Sequence, residues 1–269
     1  MTVSGVLGKY GLRFAALGYL TVLLMVPVGM IFYRAFENGV GGAWDSVTTP
    51  DALHSFYLTL VMVAIAVPAN TIFGVGCALL LVRTDFRGKA LLNALIDIPF
   101  AVSPVVIGLS LILVYGSGGW FGGWLIEHGV QIIFAVPGMV LATIFVSLPF
   151  VVREVVPVLH EIGNEQEQAA RTLGASGWQT FRRVTLPAIR WGVTYGVVLS
   201  TARALGEFGA VAVVSGHISG ETETAPLYVW HEFQNFNTAG AYAASLVLAL
   251  LALVTLFAMN ISKRKESNA

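Results

Sequence analysis

The sequence has few charged residues and only one cysteine. Charged residues make up 11% of the chain and hydrophobic residues 56%, whereas soluble domains contain about 25% charged residues. This composition excludes an ordinary soluble domain and indicates an integral membrane protein. The single cysteine, Cys77, lies in an apolar run, so a disulfide within the chain and cysteine-rich metal sites are excluded. We interpret its thiol as a packing group.

Motifs for catalysis and cofactor binding are also missing. The sequence contains no G-x-x-x-x-G-K-[ST] phosphate loop, no H-E-x-x-H and no G-x-S-x-G, which excludes ATP binding by that loop and the corresponding hydrolase sites. No two of the five histidines have metal-ligand spacing on a shared helix, so we expect no zinc site. We therefore predict a non-enzymatic chain that binds no cofactor or metal of its own.

Six apolar runs are long enough to cross about 30 Å of hydrocarbon as helices. The first has a core too long for a signal peptide and no A-x-A cleavage pattern, so we interpret it as a helix. The fold class predicted is an all-α membrane protein with six transmembrane helices. The runs are residues 14–33, 55–82, 91–115, 132–156, 190–214 and 239–261. The corresponding organisation is a tail (1–13), a first helix (14–36), a five-helix core (54–261) with a loop (157–189), and a second tail (262–269).

The basic residues predict the orientation. Short cytoplasmic loops carry an excess of lysine and arginine, and placing both termini in the cytoplasm puts thirteen of the fifteen basic residues inside. Arg34 is then outside and Arg203 lies within a span. The inner residues are Lys9, Arg13, Arg83, Arg87, Lys89, Arg153, Arg171, Arg182, Arg183, Arg190, Lys263, Arg264 and Lys265. The polar loop between the fourth and fifth runs is therefore predicted to be cytoplasmic.

Several spans are interrupted by proline, as the third is at Pro99 and Pro104, and such kinks suit a protein that encloses a polar path. Arg203 and Glu207 are four residues apart and so share a helix face. Two interpretations stay open: a self-neutralised structural pair, or residues that line an anion path. Helix N-termini and hydroxyl groups could also hold a dianion. The candidate pathway or gate residues are Pro99, Ser103, Pro104, Ser200, Arg203 and Glu207.

Other polar positions also have two interpretations. Asp97, near the start of the third run, is either a helix-cap carboxylate or a partner for a charge on another subunit. Residues 116–124 and 216–238 combine aromatic side chains with an absence of lysine and arginine. They are either interfacial loops with an aromatic belt or a docking face for an extracytoplasmic partner.

Residues 164–187 form the one long polar stretch, and their pattern predicts a helix–turn–helix hairpin. Asn164 is expected to cap the first helix with Glu167 in a capping box. Gly174 is expected to supply a left-handed turn, and Ser176 with Gln179 to cap the second helix. Pro187 is expected to end that helix and can serve as the first turn of the element that follows. A polar hairpin held outside the membrane is typical of a docking element.

The hairpin resembles the E-A-A-x-x-x-G-(nine residues)-I-x-L-P loop of ATP-binding-cassette importer permeases. Gln168 stands where the family has Glu, followed by Ala169, Ala170 and Gly174. The stretch 184–187 reads VTLP, so valine replaces isoleucine. The runs 84–109, 119–122, 132–154, 171–192 and 202–220 resemble the sulfate/thiosulfate importers, and in particular the second of their two permease subunits.

This resemblance implies a six-helix type I importer permease in a bacterial inner membrane. Its implied partners are a homologous sister permease, two cytoplasmic ATPases that bind ATP and Mg, an extracytoplasmic sulfate-binding protein and membrane lipid, with no nucleic acid. The loop would contact the ATPase. Trp178 and Phe181 would either dock there or pack on the chain's own inner surface. The implied coupling residues are Gln168, Ala169, Ala170, Gly174, Ala175, Trp178, Phe181, Arg182, Leu186 and Pro187.

Two other functions compete with sulfate import. A molybdate or tungstate permease has the same architecture, but those proteins resemble a shorter chain without the first span. A secondary carrier or channel would need coupling-ion sites and usually an inverted repeat. Neither is recognisable, and the docking hairpin would be unexplained.

Overall fold

The computed structural model describes residues 3–267. The side chains of residues 3–10, 256 and 258–267 are outside this description. Four of the predicted inner basic residues have side chains outside this description: Lys9, Lys263, Arg264 and Lys265. The ends of both predicted tails also lie outside the described residues.

Every regular element within residues 3–267 is a helix, which confirms the all-α prediction. Two π-helical turns, Thr21–Met25 and Phe181–Thr185, join consecutive helices. The helices are α1 (Val3–Leu20), α2 (Val26–Ala35), α3 (Gly39–Val47), α4 (Pro50–Arg83), α5 (Lys89–Ala101), α6 (Pro104–Tyr115), α7 (Gly122–Glu127), α8 (Val136–Glu161), α9 (Glu165–Thr172), α10 (Gly177–Thr180), α11 (Leu186–Leu205), α12 (Gly209–Val214), α13 (Ala225–Gln234) and α14 (Thr238–Ser267).

Four helical stretches within the described residues are long and apolar enough to cross a membrane: Gly11–Ala35, Pro50–Arg83, Val136–Glu161 and Thr238–Thr255. A fifth span results if α5 and α6, which meet at an angle of 115°, are counted as one broken span. The remaining predicted run, 190–214, is divided between α11 and α12. We call the end of the bundle that carries α9 and α10 the inner end, and the end that carries α3, α7 and α13 the outer end.

Two predicted spans are interrupted, and each break has a local cause. Val102 and Ser103 are extended between α5 and α6, because a residue that precedes proline is disfavoured in the helical region. Pro104 then begins α6, where its missing N–H costs nothing. The second break lies between Leu205 and Gly209, where Gly206 and Phe208 leave the helical conformation. The break expected from the prolines of the 91–115 run is therefore present, whereas the expected continuous helix at 190–214 was wrong.

The core has two large apolar clusters at opposite ends of α4 and α8, and two smaller clusters lie where α14 packs near the outer end. The outer cluster includes Met62 and Met139, and the inner cluster includes Leu81 and Val155. Between them, the buried Asn70 donates from Nδ2 to the Ile144 carbonyl at 3.0 Å and to Ser147 Oγ at 2.9 Å. These bonds satisfy the two N–H donors of the amide in a region where lipid offers no partner, whereas its Oδ1 has no hydrogen-bond partner among the described residues. Cys77 lies in the inner cluster, as its packing interpretation predicts.

Glycines allow α4, α8 and α11 to approach one another closely around Val151. A Cβ atom placed on Gly74 of α4 would lie 2.7 Å from Val151 Cβ, and one on Gly196 of α11 would lie 2.7 Å from Val151 Cα. Small residues promote helix association in membranes because backbones in contact gain dispersion energy. The seam fixes the position of α11, which carries Arg203 and Ser200.

Gly196→Ala is expected to destabilise this seam. Its new methyl group would overlap the Val151 backbone, so we expect a loss of about 1–3 kcal/mol, the usual cost of overpacking, and a lower thermal unfolding midpoint of the detergent-purified chain. Gly76→Ala is the matched control, because no atom lies within 4 Å of its added Cβ, and alanine has the higher helix propensity. Equal midpoints for the two variants would contradict the close packing.

Candidate functional site

The polar stretch at the inner end folds into the predicted hairpin. Gly174 has φ of +86° and turns the chain between α9 and α10. The capping box of the second helix is confirmed, since Gln179 N donates to Ser176 Oγ at 3.3 Å and Ser176 N donates to Gln179 Oε1 at 2.8 Å. These bonds satisfy backbone donors that the helix itself cannot pair.

The expected capping box between Asn164 and Glu167 was wrong. Asn164 makes no side-chain cap, and Glu167 is buried and bonded elsewhere. Its two oxygens accept from Arg83 Nε at 3.1 Å and Nη2 at 3.2 Å, and Thr185 Oγ1 donates to Oε1 at 2.9 Å. A bidentate bond to a guanidinium is stronger than a bond to a neutral backbone N–H, so the carboxylate turns inward.

Arg83 joins the hairpin to two membrane helices. It is the last residue of α4, and its guanidinium also donates to the Leu159 carbonyl at 3.2 Å and to the Gly163 carbonyl at 2.6 Å. The planar fork of arginine suits several acceptors at once, and carbonyls at a helix C-terminus attract positive charge. Our sequence interpretation assigned this role to neither Arg83 nor Glu167. Two sequence features could have indicated this contact: an arginine at the end of a long apolar run, and an acidic residue next to Gln168.

Pro187 lies in the first turn of the following helix, as predicted, but it does not end the second helix. The chain continues through the π-helical turn Phe181–Thr185 directly into α11, with Pro187 in its first turn. A proline ring clashes with the carbonyl four residues earlier in a regular helix. A π-helical turn shifts the bonding pattern by one residue and occurs frequently at functional sites. The hairpin and α11 are thus joined without a loop.

The hairpin presents apolar side chains to its surroundings. Trp178 is 68% exposed and Leu173 is 88% exposed. Phe181 packs against the inner cluster and stacks on Trp178 with ring centroids 5.5 Å apart. Phe181 therefore packs on the chain's own surface, whereas Trp178 projects outward. Our sequence interpretation did not include Leu173.

The remaining predicted coupling residues divide by exposure. Ala170 and Ala175 are partly buried, as is Phe181. The exposed ones are Gln168, Ala169, Gly174, Arg182, Leu186 and Pro187, together with Trp178. The predicted residues thus form one largely exposed surface, which we call the hairpin surface.

Arg203 and Glu207 form an ion pair at the break after α11. Arg203 Nη1 lies 2.7 Å from Glu207 Oε2, and the Ala210 N–H donates to Glu207 Oε1 at 2.8 Å. The Glu207 carboxylate therefore contacts the first turn of α12 and, through Arg203, the last turn of α11. A carboxylate at a helix N-terminus also interacts favourably with the helix dipole.

The two broken regions touch each other. A Cβ atom on Gly209, at the start of α12, would lie 3.0 Å from Pro104 Cβ, at the start of α6. Ser103 is exposed at the α5–α6 break, and Pro99 is buried within α5. Ser200 is fully buried on α11. The fold thus brings Pro104 beside the α11–α12 break that Glu207 caps.

Asp97 was assigned incorrectly in both of its sequence interpretations. It lies within α5 and forms a bidentate ion pair with Arg153 of α8, with an Nε–Oδ1 distance of 2.8 Å. Asn93 accepts a further bond from Arg153 Nη2 at 3.0 Å. Asp97 therefore links α5 to α8 within the same chain. It is neither a helix cap nor a partner for a charge on another subunit.

The outer segments 116–124 and 216–238 have features that fit both an interfacial aromatic belt and a docking face. Trp120, Trp124 and Phe236 are exposed, as an aromatic belt and a docking face would both require. Glu223 is buried, and its Oε1 lies 3.0 Å from Nδ1 of His231. This contact ties the segment before α13 to that helix.

The fold matches membrane subunits of ABC importers. A bacterial alginate ABC transporter, solved in complex with a pentasaccharide-bound periplasmic protein, contains a chain that superposes with a TM-score of 0.80 at 17% identity, covering 96% of this chain and 94% of that one. This likeness shows the fold, which this chain shares with a chain of an ABC importer.

The family follows from sequence comparison. The family model described as "Binding-protein-dependent transport system inner membrane component" matches residues 70–268, and the chain belongs to this family. It is 52% identical to the sulfate transport system permease protein CysW of Synechocystis sp., covering 97% of this chain and 94% of that protein. It is 41% identical to the sulfate transport system permease protein CysT of Synechococcus elongatus, covering 90% and 87%. The chain is thus a multi-pass membrane permease subunit.

Glu167→Gln is expected to loosen the hairpin. The substitution removes the charge that bonds to Arg83, and hydrogen bonds to charged groups contribute about 1.5–3 kcal/mol each. We expect a comparable loss in the free energy of unfolding and faster amide hydrogen exchange in α9. Glu165→Gln on the same helix is the control, since Glu165 is exposed and only its interaction with the helix dipole is lost, about 0.3–1 kcal/mol. Equal effects of the two variants would show that the Arg83 bond is not stabilising.

Proposed function

We propose that the chain is a transmembrane permease subunit of an ATP-driven sulfate and thiosulfate importer in a bacterial inner membrane. The observation that carries the proposal is the 52% identity to a sulfate permease over 97% of the chain. The anion would cross by alternating access, in which the pathway opens to one side of the membrane at a time.

The hairpin is the element that would receive the energy. The sequence has no phosphate loop, so ATP and Mg would be bound by two partner ATPases. The exposed Trp178 and Leu173 are suited to an apolar groove on such a partner. Because Glu167 ties the hairpin to Arg83 on α4, and the π-helical turn joins it to α11, a displacement of the hairpin would move both helices.

The broken helices would form the pathway. Non-helical backbone at membrane depth is tolerated only where protein covers it or water reaches it. The breaks at Ser103 and at Gly206 lie next to each other through Pro104 and Gly209. Movement of α11 would therefore act on the α12 end that contacts α6, and could open or close a path there.

The remaining partners follow from the relatives. The chain is similar to both CysW and CysT, two differently named sulfate permeases, which supports a pair of homologous subunits. The alginate transporter structure includes a periplasmic protein, which supports an extracytoplasmic sulfate-binding protein docked on the outer segments. Lipid would cover the exposed apolar faces of α1 and α2.

The alternatives gain no comparable support. A molybdate or tungstate permease would share this fold, but the relatives at 52% and 41% identity carry sulfate in their names. A self-sufficient carrier or channel would leave the hairpin surface without a function, and the family is one of binding-protein-dependent systems.

The substrate is tested by anion-stimulated ATP hydrolysis. In proteoliposomes that contain the complete importer, we expect sulfate and thiosulfate, delivered with the binding protein, to stimulate ATPase activity and to accumulate inside. Molybdate should do so weakly. Stimulation by molybdate alone would refute the sulfate assignment, and uptake without ATP would refute an ATP-driven importer.

Gly174→Val is expected to uncouple ATP hydrolysis from uptake while the protein still inserts. The positive φ of Gly174 costs a residue with a Cβ about 1–2 kcal/mol, which changes an equilibrium constant by roughly 5- to 30-fold. The hairpin would populate a different angle, so uptake per ATP should fall. Gly88→Val is the control, because Gly88 has φ of +103° and open space around it but lies outside the hairpin. Unchanged uptake per ATP in Gly174→Val would exclude the hairpin as the coupling element.

A further inference from the structure

The two charged side chains of the Arg203–Glu207 pair differ in their exposure. Glu207 is buried, with 1% of its side chain exposed, whereas 30% of the Arg203 side chain is exposed. Any solute that reaches the break therefore meets the guanidinium first. The carboxylate lies behind it, ion-paired with Arg203 through Oε2 and accepting a hydrogen bond from the Ala210 N–H through Oε1.

Arg203 keeps donors that Glu207 does not use. A guanidinium has five N–H donors in a fixed fork, and the pair with Glu207 is formed through Nη1. One turn earlier on the same helix face, Ser200 is fully buried, and its Oγ has no hydrogen-bond partner in the part of the chain that the structure describes. A hydroxyl and a guanidinium at positions i and i+3 are neighbours on a helix. Both can donate to an oxyanion.

The charge balance at this place controls how tightly an anion is held. Arg203 lies near the outer end of α11, about 25 Å along the helix from Leu186 at 1.5 Å per residue, and its partner Glu207 is buried. Two opposite charges interact more strongly there than in water. An unpaired guanidinium would hold a dianion too long, and conduction requires binding that is weak enough to allow release.

We propose that Glu207 cancels the charge of Arg203 and thereby sets the affinity of the permease for its oxyanion. Arg203 and Ser200 supply hydrogen bonds that recognise the oxyanion, and Glu207 keeps the net charge near zero so that a doubly charged substrate is released. Glu207 is thus an affinity-determining residue that acts through Arg203. The inference rests on the proposed function, since it requires an oxyanion as the substrate.

The test measures equilibrium binding of radiolabelled sulfate to the purified importer without its binding protein. Glu207→Gln keeps the size of the side chain and an oxygen acceptor for the Ala210 N–H but removes the charge. We expect sulfate affinity to rise about tenfold or more, equivalent to about 1.4 kcal/mol. The turnover of the reconstituted importer should fall because release slows. Arg203→Gln leaves a buried negative charge and should weaken sulfate binding by a similar factor.

The double variant separates charge balance from a purely structural pair. Arg203→Gln combined with Glu207→Gln removes both charges and should return sulfate affinity to within about threefold of wild type, the non-additivity expected of coupled residues. It also carries the test if Glu207→Gln fails to assemble, since removing a whole buried pair is often tolerated. Asp97→Asn is the matched control, because it breaks an arginine–carboxylate pair elsewhere and should leave affinity unchanged.

The outcomes distinguish this inference from the proposed function. Unchanged affinity in Glu207→Gln, or weaker binding in both single variants, would overturn the charge-cancelling role even if sulfate is the substrate. A wild-type importer that takes up another oxyanion but no sulfate would overturn the sulfate assignment. The same variants, measured with that anion, would still test Glu207. Equal shifts in Asp97→Asn would show a general charge effect and overturn the inference.

Discussion

A lipid bilayer offers no hydrogen-bond partners, so every helix break and every charge inside the bundle needs a partner from the protein itself. Several polar side chains among the described residues supply such partners. Asn70 bonds to the Ile144 carbonyl and Ser147 between the two apolar clusters, and Glu207 satisfies the Ala210 N–H exposed by the α11–α12 break. These contacts determine which helices can be broken and where.

The same constraint connects the inner hairpin with the membrane helices. Arg83 satisfies the carbonyls of Leu159 and Gly163 near the end of α8 and also binds Glu167 of α9. One guanidinium therefore joins α4, α8 and α9. Because the π-helical turn leads into α11 without a loop, the hairpin is attached at two places. Such an element transmits a displacement better than a flexible loop, which would absorb it.

Close packing and polar bonding have different roles in this bundle. Around Val151, the glycines of α4 and α11 bring the backbones into contact, which holds these helices as one body. At the breaks beside Pro104 and Gly209, polar contacts replace the regular helical bonds. A transport cycle needs both properties, since a rigid body must move against a region that can change shape. The arrangement places that region at the outer part of α11.

The sequence by itself determined the features that depend on near neighbours along the chain. Apolar runs and their lengths predicted the helices, and the Ser176–Gln179 capping box and the Gly174 turn were predicted because their partners lie within four residues. The pairing of Arg203 with Glu207 was predicted for the same reason. The family motif, with Gln168 in place of glutamate, led to the class of protein. The inward orientation of the hairpin stays a prediction from the basic residues.

Only the tertiary structure decided the partners that are far apart in the chain. Glu167 pairs with Arg83, and Asp97 with Arg153, because the fold brings α9 to the end of α4 and packs α5 beside α8. Hydropathy does not encode which helices become neighbours. The break in the fifth predicted span was missed because apolar residues continue through it, whereas the break in the third was expected from its prolines. Local pattern thus specifies a helix and its caps, and packing specifies which polar side chains meet.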